Sequence, residues 1–184
     1  MSALYVLRHG TTDWNVIKRL QGQTDIPLNE DGTRLAEEAA GMYKDVNFDI
    51  CFCSPLIRAR QTADILLKGR DIPVEYDDRL KEIAFGEYEG LEYPNLPDDH
   101  PVIAAFRDPE NYVPGSGGES IRDLIRRTDD FLVSRVYPLL EKGDDILIVG
   151  HGAMNSSIIV NVKKLPINRF WDEGIENCKL KKLI

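Results

Sequence analysis

The chain has 184 residues, 42% of them hydrophobic and 29% charged, which is an ordinary composition for one globular domain, with or without a cap. A formal net charge of −8 disfavours nonspecific binding to nucleic acid, and no apolar run approaches the roughly 20 residues of a membrane span. No secretion signal is visible and the number of cysteines, three, is odd. We therefore expect a cytoplasmic protein in a reducing environment, with neither nucleic acid nor membrane as a partner.

Five short apolar runs predict strands, at residues 3–7, 50–53, 73–76, 145–149 and 178–183. Apolar residues at helical spacing predict four helices between them, at residues 30–44, 56–68, 121–132 and 153–160. Strands that alternate with helices indicate the α/β class. The expected architecture is a three-layer α/β/α sandwich with a mainly parallel sheet and helices on both faces.

Residues 86–118 interrupt this alternation, because proline and glycine are concentrated there. Loops of this length in a compact domain are usually lids or binding loops. We expect residues 1–184 to form a single domain in which the segment from about 86 to 118 is inserted as a lid over one end of the sheet. Its aromatic residues are candidates for an apolar wall beside a ligand, although packing within the lid is the simpler explanation for most of them. These residues are Tyr88, Tyr93, Phe106 and Tyr112.

Two of the three histidines directly follow predicted strands. His9 comes after residues 3–7 and next to Arg8, and His151 comes after residues 145–149 between two glycines. Ligands of open α/β sheets bind at the carboxyl ends of the strands. Two imidazoles and a guanidinium at that edge indicate a site for an anion. The alternative for either histidine is a buried ring that pairs with a nearby carbonyl.

Arg58 is expected in the first turn of the helix that follows residues 50–53, where its side chain can reach the same edge. The alternatives are a surface arginine and the arginine of a cysteine-dependent phosphatase. In that class five residues separate the nucleophile from the arginine, whereas here four separate Cys53 from Arg58 and six separate Cys51 from it. Zinc at the two thiols would need a second pair of ligands, which the spacing does not offer. We interpret them as buried side chains on one face of a strand.

Among the acidic residues, Glu82 lies between apolar positions ahead of two glycines. This setting favours a general acid that is held partly out of water. Glu87 and Glu89 are interpreted as solvated acids of a loop. Residue chemistry alone leaves the choice among these carboxylates open.

Five motifs in this order resemble the histidine phosphatase superfamily, in its phosphoglycerate mutase-like branch (branch 1). They are Arg8-His9-Gly10-Thr11, Ser54-Pro55-Leu56 with Arg58, Leu80 with Glu82 and Gly86, Gly117-Gly118-Glu119-Ser120, and Gly150-His151-Gly152. The resemblance extends from residue 4 to about residue 178. It implies a histidine phosphatase fold and an enzyme that transfers phosphoryl groups.

The resemblance also implies a role for each matched residue. His9 would attack phosphorus and become a phosphohistidine, and Glu82 would protonate the leaving oxygen and later take a proton from water. Together with these two residues, the catalytic set would include the cationic pocket formed by Arg8, Arg58 and His151. The substrate-binding set would comprise Arg8, Asn15, Gln21, Gly22, Arg58, Glu82, His151 and Gly152. Because these side chains supply the positive charge, we expect no metal and no other cofactor.

The same family contains phosphatases and mutases. Mutases that need bisphosphoglycerate resemble one another in an Arg-His-Tyr-type run after the acid, where this chain has Ile83-Ala84-Phe85. Residues 90–115 contain Arg107 as their one Arg or Lys, against five acids. We therefore expect a phosphatase acting on small phosphomonoesters. A phosphoglycerate mutase and a non-catalytic phosphate-binding regulator are the alternatives. The expected partner is a small phosphorylated metabolite, and the sequence leaves a homodimer open.

Overall fold

Five strands form one sheet in the computed structural model, which describes residues 2–184. They are β1 (Leu4–Arg8), β2 (Ile50–Cys53), β3 (Val74–Tyr76), β4 (Ile146–Gly150) and β5 (Leu180–Lys182). Their order across the sheet is β3-β2-β4-β1-β5. The first four are parallel, and β5 runs antiparallel to β1 at one edge. The predicted mainly parallel α/β sheet is confirmed, and each strand lies close to its predicted position.

Within residues 2–184 the α-helices are α1 (Asp13–Val16), α2 (Glu30–Met42), α3 (Ile57–Leu66), α4 (Ala104–Arg107), α5 (Ile121–Phe131), α6 (Tyr137–Lys142) and α7 (Gly152–Lys163). None of them is long and apolar enough to cross a membrane. Side chains cap the N-termini of α2 and α5, since Asn29 accepts a hydrogen bond from Gly32 N and Ser120 accepts one from Asp123 N. A π-helical segment, Leu132–Val136, joins α5 to α6 and was not predicted.

Neighbouring side chains along the strands enter two separate apolar clusters. Val6 and Phe52 lie in the cluster that α5 and α7 complete. Leu7, Cys51 and Cys53 lie in the cluster that α2 and α3 complete. Helices therefore cover both faces of the sheet, as the predicted three-layer sandwich requires. The alternation also confirms that the two thiols of β2 share one buried face.

The segment 86–118 forms short helical turns rather than strands, namely Gly86–Tyr88, Tyr93–Asn95 and Pro101–Ile103, followed by α4. Val102 and Tyr112 anchor it, because both side chains are buried in the cluster shared with α5 and α7. Other residues of the segment line a cavity together with His9 and Arg58. The segment thus borders the carboxyl end of the sheet. The assignment of the whole chain to one domain with this segment as its lid stays a prediction.

Candidate active site

The two histidines predicted at the sheet edge are brought together by the pairing of β1 with β4. Arg8 lies opposite Gly150 in this parallel pair, and His9 N donates a hydrogen bond to Gly150 O at 2.9 Å. Because His9 and His151 each follow these paired residues, their ring centroids lie 5.2 Å apart. Both side chains are almost completely buried.

The hydrogen bond that His9 makes defines its chemical state. Nδ1 lies 2.6 Å from the carbonyl oxygen of Gly10, and a carbonyl only accepts, so Nδ1 carries the proton. Burial, followed by the charges of Arg58 and Arg8, holds the pKa of His9 well below its usual value. The ring is therefore neutral, and Nε2 keeps its lone pair.

Arg58 extends from the first turn of α3 and is completely buried. Its terminal nitrogens donate to two carbonyls of one loop, Nη1 to Thr24 O at 2.9 Å and Nη2 to Gly22 O at 2.7 Å. Burial lowers its pKa to about 10, which still leaves the guanidinium charged near neutral pH. The loop thus fixes the direction of this cation.

Arg8 lines the same cavity as Arg58 and His9. Its Nη1 donates to Ile175 O at 3.3 Å. Burial lowers its pKa, and the negative charge of Glu82 partly offsets that effect. Two guanidinium groups therefore lie beside a neutral imidazole, which is a setting suited to an anion with several oxygens.

His151 differs from the expectation in its charge. Its Nε2 lies 2.7 Å from Ser54 Oγ, and its side chain has no solvent exposure. Burial, followed by the charges of Arg58, His9 and Arg8, holds its pKa well below the usual value. The ring is therefore neutral, so it does not add to the positive charge of the pocket. Ser54 Oγ accepts from Leu56 N at 3.3 Å, so its own proton is available to Nε2 of His151. In that arrangement Nδ1 carries the ring proton and can donate to a ligand.

Several buried side-chain nitrogens in this region lack a hydrogen-bond partner among the described residues. Those nearest the two histidines include the Nε of Arg8, the Nε of Arg58 and the Nδ1 of His151. A buried polar group without a partner carries a free-energy cost of about 1–3 kcal/mol. A ligand with several acceptor oxygens would remove that cost. The donors therefore point to the same ligand chemistry as the two cations.

Glu82 lies at the start of α7, next to this cluster. Its Oε1 accepts from Met154 N at 2.9 Å and from Ile83 N at 2.9 Å, and its Oε2 accepts from Ala153 N at 3.1 Å. The amides of a helix N-terminus stabilise a negative charge. A methyl group placed on Gly152 would lie 3.6 Å from Glu82 Oε2 and 3.6 Å from Arg8 Cζ. Glu82 and Arg8 therefore border one small space, which a glycine leaves open.

The remaining predicted contacts also line the cavity, which has a volume of about 690 Å³. They are Asn15, Gln21, Gly22 and Gly152. Thr12 N donates to Asn15 Oδ1 at 3.1 Å, and Thr12 Oγ donates to Gln21 Oε1 at 3.0 Å. Because the amide oxygens are occupied in this way, their NH₂ groups are the ends suited to a ligand. Gly10 has no space for a side chain, since a Cβ there would lie 2.5 Å from Gly32 O. It permits close packing of α2.

Glu89 was interpreted as a solvated loop acid, and this interpretation is wrong. Its carboxylate accepts hydrogen bonds from Gln23 N at 2.9 Å, Thr24 N at 2.9 Å, Thr24 Oγ at 2.5 Å and Phe85 N at 3.2 Å. It thereby joins the loop that orients Arg58 to the segment that follows Glu82. Glu87 is exposed, as expected, and accepts from one backbone amide.

Arg127 is a further residue that sequence reasoning missed. It donates to Arg79 O at 2.6 Å and to Glu82 O at 3.0 Å, and it forms an ion pair with Glu119 at 2.6 Å. These contacts hold the backbone that carries Glu82. The matched Gly117-Gly118-Glu119-Ser120 motif was the available signal, since it placed an acid ahead of an arginine-rich helix.

Asn177 was missed as well, because it lies near the carboxyl end of the chain, far from the motifs. Its Nδ2 donates to His9 O at 2.6 Å, and the residue lines the cavity. The cysteines, by contrast, lie outside the cavity. Burial raises the pKa of Cys51 to about 12 and that of Cys53 well above the usual value, so neither thiol is prepared to act as a nucleophile.

Comparison with known proteins identifies the class to which this fold and site belong. The chain belongs to the histidine phosphatase superfamily (branch 1), whose pattern it matches over residues 4–184. It is 35% identical over 164 residues to an uncharacterized phosphatase, PhoE, of Bacillus subtilis (strain 168), which covers 88% of this chain and 78% of that protein. It is 31% identical over 184 residues to 2,3-bisphosphoglycerate-dependent phosphoglycerate mutase 2 of Gloeobacter violaceus, and the match covers 97% of this chain and 83% of that protein.

A solved structure shows the same fold. The mycobacterial glucosyl-3-phosphoglycerate phosphatase in complex with VO3 superposes with a TM-score of 0.86 at 30% identity, covering 99% of this chain and 92% of that one. Relatives with phosphatase and mutase names support an enzyme of this family. Because both activities occur among them, family membership alone leaves the reaction and the substrate undecided.

Proposed function

We propose that this protein is a metal-independent phosphatase that hydrolyses small phosphomonoesters through a phosphohistidine at His9. The observation that carries the proposal is a neutral imidazole with a free Nε2 beside two buried guanidinium groups, Arg8 and Arg58. Positioning and positive charge supply most of the catalysis in phosphoryl transfer. The proposal also places the protein in the cytoplasm, where small phosphorylated metabolites are its substrates.

In the first step, Nε2 of His9 forms a bond to phosphorus while the bond from phosphorus to the alcohol oxygen breaks. Arg8 and Arg58 stabilise the charge on the phosphoryl oxygens, and His151 donates to one of them. Glu82 gives the alcohol oxygen its proton.

In the second step, water attacks phosphorus and the bond from phosphorus to His9 breaks. Glu82, now charged, takes a proton from the water, and phosphate leaves. A covalent intermediate divides one difficult displacement into two easier ones. The amides of Ile83, Ala153 and Met154 stabilise Glu82 in the charged form that this step requires.

Hydrolysis is favoured over the mutase reaction by the charges at the far end of the cavity. Arg19 pairs with Glu92 at 2.8 Å and Arg107 pairs with Asp98 at 2.7 Å. A mutase must hold the carboxylate or second phosphate of its substrate. Of the cations that line the cavity outside the phosphoryl site, Arg19 and Arg107 already have carboxylate partners, which leaves Lys18 alone for that task. Interconversion of 2- and 3-phosphoglycerate, stimulated by bisphosphoglycerate and faster than hydrolysis, would establish the mutase alternative.

Hydrolysis of p-nitrophenyl phosphate in the presence of a chelator tests the proposal. We expect turnover by the wild-type protein and loss of turnover in His9→Ala. His100→Ala is the control and should keep its turnover, because His100, the third histidine of the chain, lies outside the cavity. A phosphoenzyme that is labile in acid and stable in base should form in the wild-type protein and be missing in His9→Ala. Normal turnover in His9→Ala would refute the role of His9. No turnover of any phosphomonoester would favour the non-catalytic regulator.

A further inference from the structure

One wall of the cavity is formed by stacked aromatic rings. The centroids of Phe106 and Tyr93 lie 5.7 Å apart with an interplanar angle of 28°, and those of Phe106 and Trp171 lie 5.6 Å apart at 25°. Phe85 adds a fourth ring, 6.1 Å from Phe106. All four residues line the cavity that also contains His9 and Arg58. The wall is therefore continuous with the phosphoryl site.

The position of this wall is fixed by contacts outside the cavity. Trp171 Nε1 donates to Ala105 O at 2.8 Å, and the Trp171 ring meets Phe170 edge to face at 4.8 Å. Phe170 is buried in the core cluster. Trp171 comes from the segment after α7, whereas Phe106 belongs to α4. Two distant parts of the chain thus form one preorganised surface, which binds with little loss of side-chain freedom.

The size and charge of this end of the cavity define what it can receive. A volume of about 690 Å³ lies within the roughly 300–1,000 Å³ of cavities that hold drug-sized ligands. The arginines at this end, Arg19 and Arg107, already form ion pairs with Glu92 and Asp98. Lys18 also lines the cavity, is exposed to solvent and forms no ion pair with the described residues. The surface beyond the phosphoryl site therefore combines the aromatic wall with a single unpaired cation at the solvent side.

We propose that the aromatic wall of Phe85, Tyr93, Phe106 and Trp171 binds the leaving group, and that preferred substrates are phosphomonoesters whose alcohol carries a flat, uncharged ring. This inference rests on the proposed phosphatase function and names its substrate class. A flat ring stacks on or meets the edges of aromatic side chains, and such pairs add to the effect of apolar burial. A puckered ring of similar size buries similar area without that addition.

Two esters separate ring stacking from size and from leaving-group chemistry. The alcohols of 2-phenylethyl phosphate and 2-cyclohexylethyl phosphate have similar acidity and volume, and only the first has a flat ring. We expect kcat/KM for the phenyl ester to exceed that for the cyclohexyl ester by roughly 2- to 10-fold. We expect 3-phosphoglycerate, which carries a second negative charge, to be hydrolysed less efficiently than the phenyl ester.

Phe106→Leu keeps an apolar side chain and removes the central ring, so the ratio of the two kcat/KM values should fall at least twofold. Tyr93→Leu repeats the test at a ring that is 38% exposed, where the substitution leaves the core intact. Tyr76→Leu is the matched control, because this exposed ring on β3 lies outside the cavity and the ratio should stay unchanged.

The outcomes separate this inference from the function on which it rests. Equal kcat/KM for the two esters, a preference for 3-phosphoglycerate, or an unchanged ratio in both leucine variants would overturn the inference. If hydrolysis still required His9 in those cases, the phosphatase proposal would stand. Hydrolysis that persists in His9→Ala would remove both.

Discussion

Replacement of Glu89 by glutamine tests whether the loop that orients Arg58 depends on a single carboxylate. The two oxygens of Glu89 accept four hydrogen bonds, three from Gln23 and Thr24 and one from Phe85. Glutamine keeps the shape but has one acceptor oxygen and one NH₂ group. In either orientation of the amide, its NH₂ group faces at least one backbone N–H that donates to Glu89 in the wild-type protein. That N–H then loses its acceptor. A hydrogen bond to a charged group contributes about 1.5–3 kcal/mol, so the free energy of unfolding should fall by about 2–3 kcal/mol.

The same substitution should weaken anion binding, because Gly22 O and Thr24 O accept the two terminal nitrogens of Arg58. We expect the Kd for vanadate to rise about tenfold, equivalent to about 1.4 kcal/mol. Urea unfolding measures the loss of stability, and titration of the folded protein with vanadate measures the change in Kd. Glu87→Gln is the matched control, since Glu87 is exposed and accepts from Ser116 N alone. Vanadate affinity equal to that of the wild-type protein in folded Glu89→Gln would refute the reasoning, whatever the loss of stability.

Three further predictions concern the groups around the phosphoryl site. Gly152→Ala should fold normally and bind vanadate less tightly, because the added methyl fits at ordinary contact distance but occupies the space between Arg8 and Glu82; unchanged affinity would show that this space is not used. Glu82→Gln should slow esters with poor leaving groups most, since good ones need little protonation, and an equal loss for both would argue against the acid role. Burial and the arginines hold the pKa values of His9 and His151 well below 6.5, so below about pH 6.5 the unfolded chain binds more protons and the free energy of unfolding should fall. Urea unfolding at several pH values should show that fall, with a smaller slope in His151→Gln.

The architecture could be predicted because its signals are local. Short apolar runs gave the strands their positions, and helical spacing with side-chain caps such as Asn29 defined the beginnings of the helices. The position of functional residues followed from the same signals, since polar residues just after parallel strands share one edge of the sheet. Helical spacing does not register the π-helical segment Leu132–Val136, although Pro138, which has no backbone N–H, follows it closely in the chain.

The contacts that hold the site could not be predicted in the same way, because they join distant segments. The carbonyl oxygens that orient Arg58 lie 34 and 36 residues before it, and Ser54 lies 97 residues before its partner His151. A glutamate in a glycine-containing loop looks solvated whether or not backbone amides surround it, which is why Glu89 was misinterpreted. The charge of His151 could not be predicted either, because it too depends on distant residues. Burial and the neighbouring arginines lower the pKa of the ring well below its usual value. Motifs therefore locate the groups that meet a ligand, whereas tertiary contacts set the orientation and charge state of those groups. The Glu89→Gln experiment measures how much anion binding depends on such contacts.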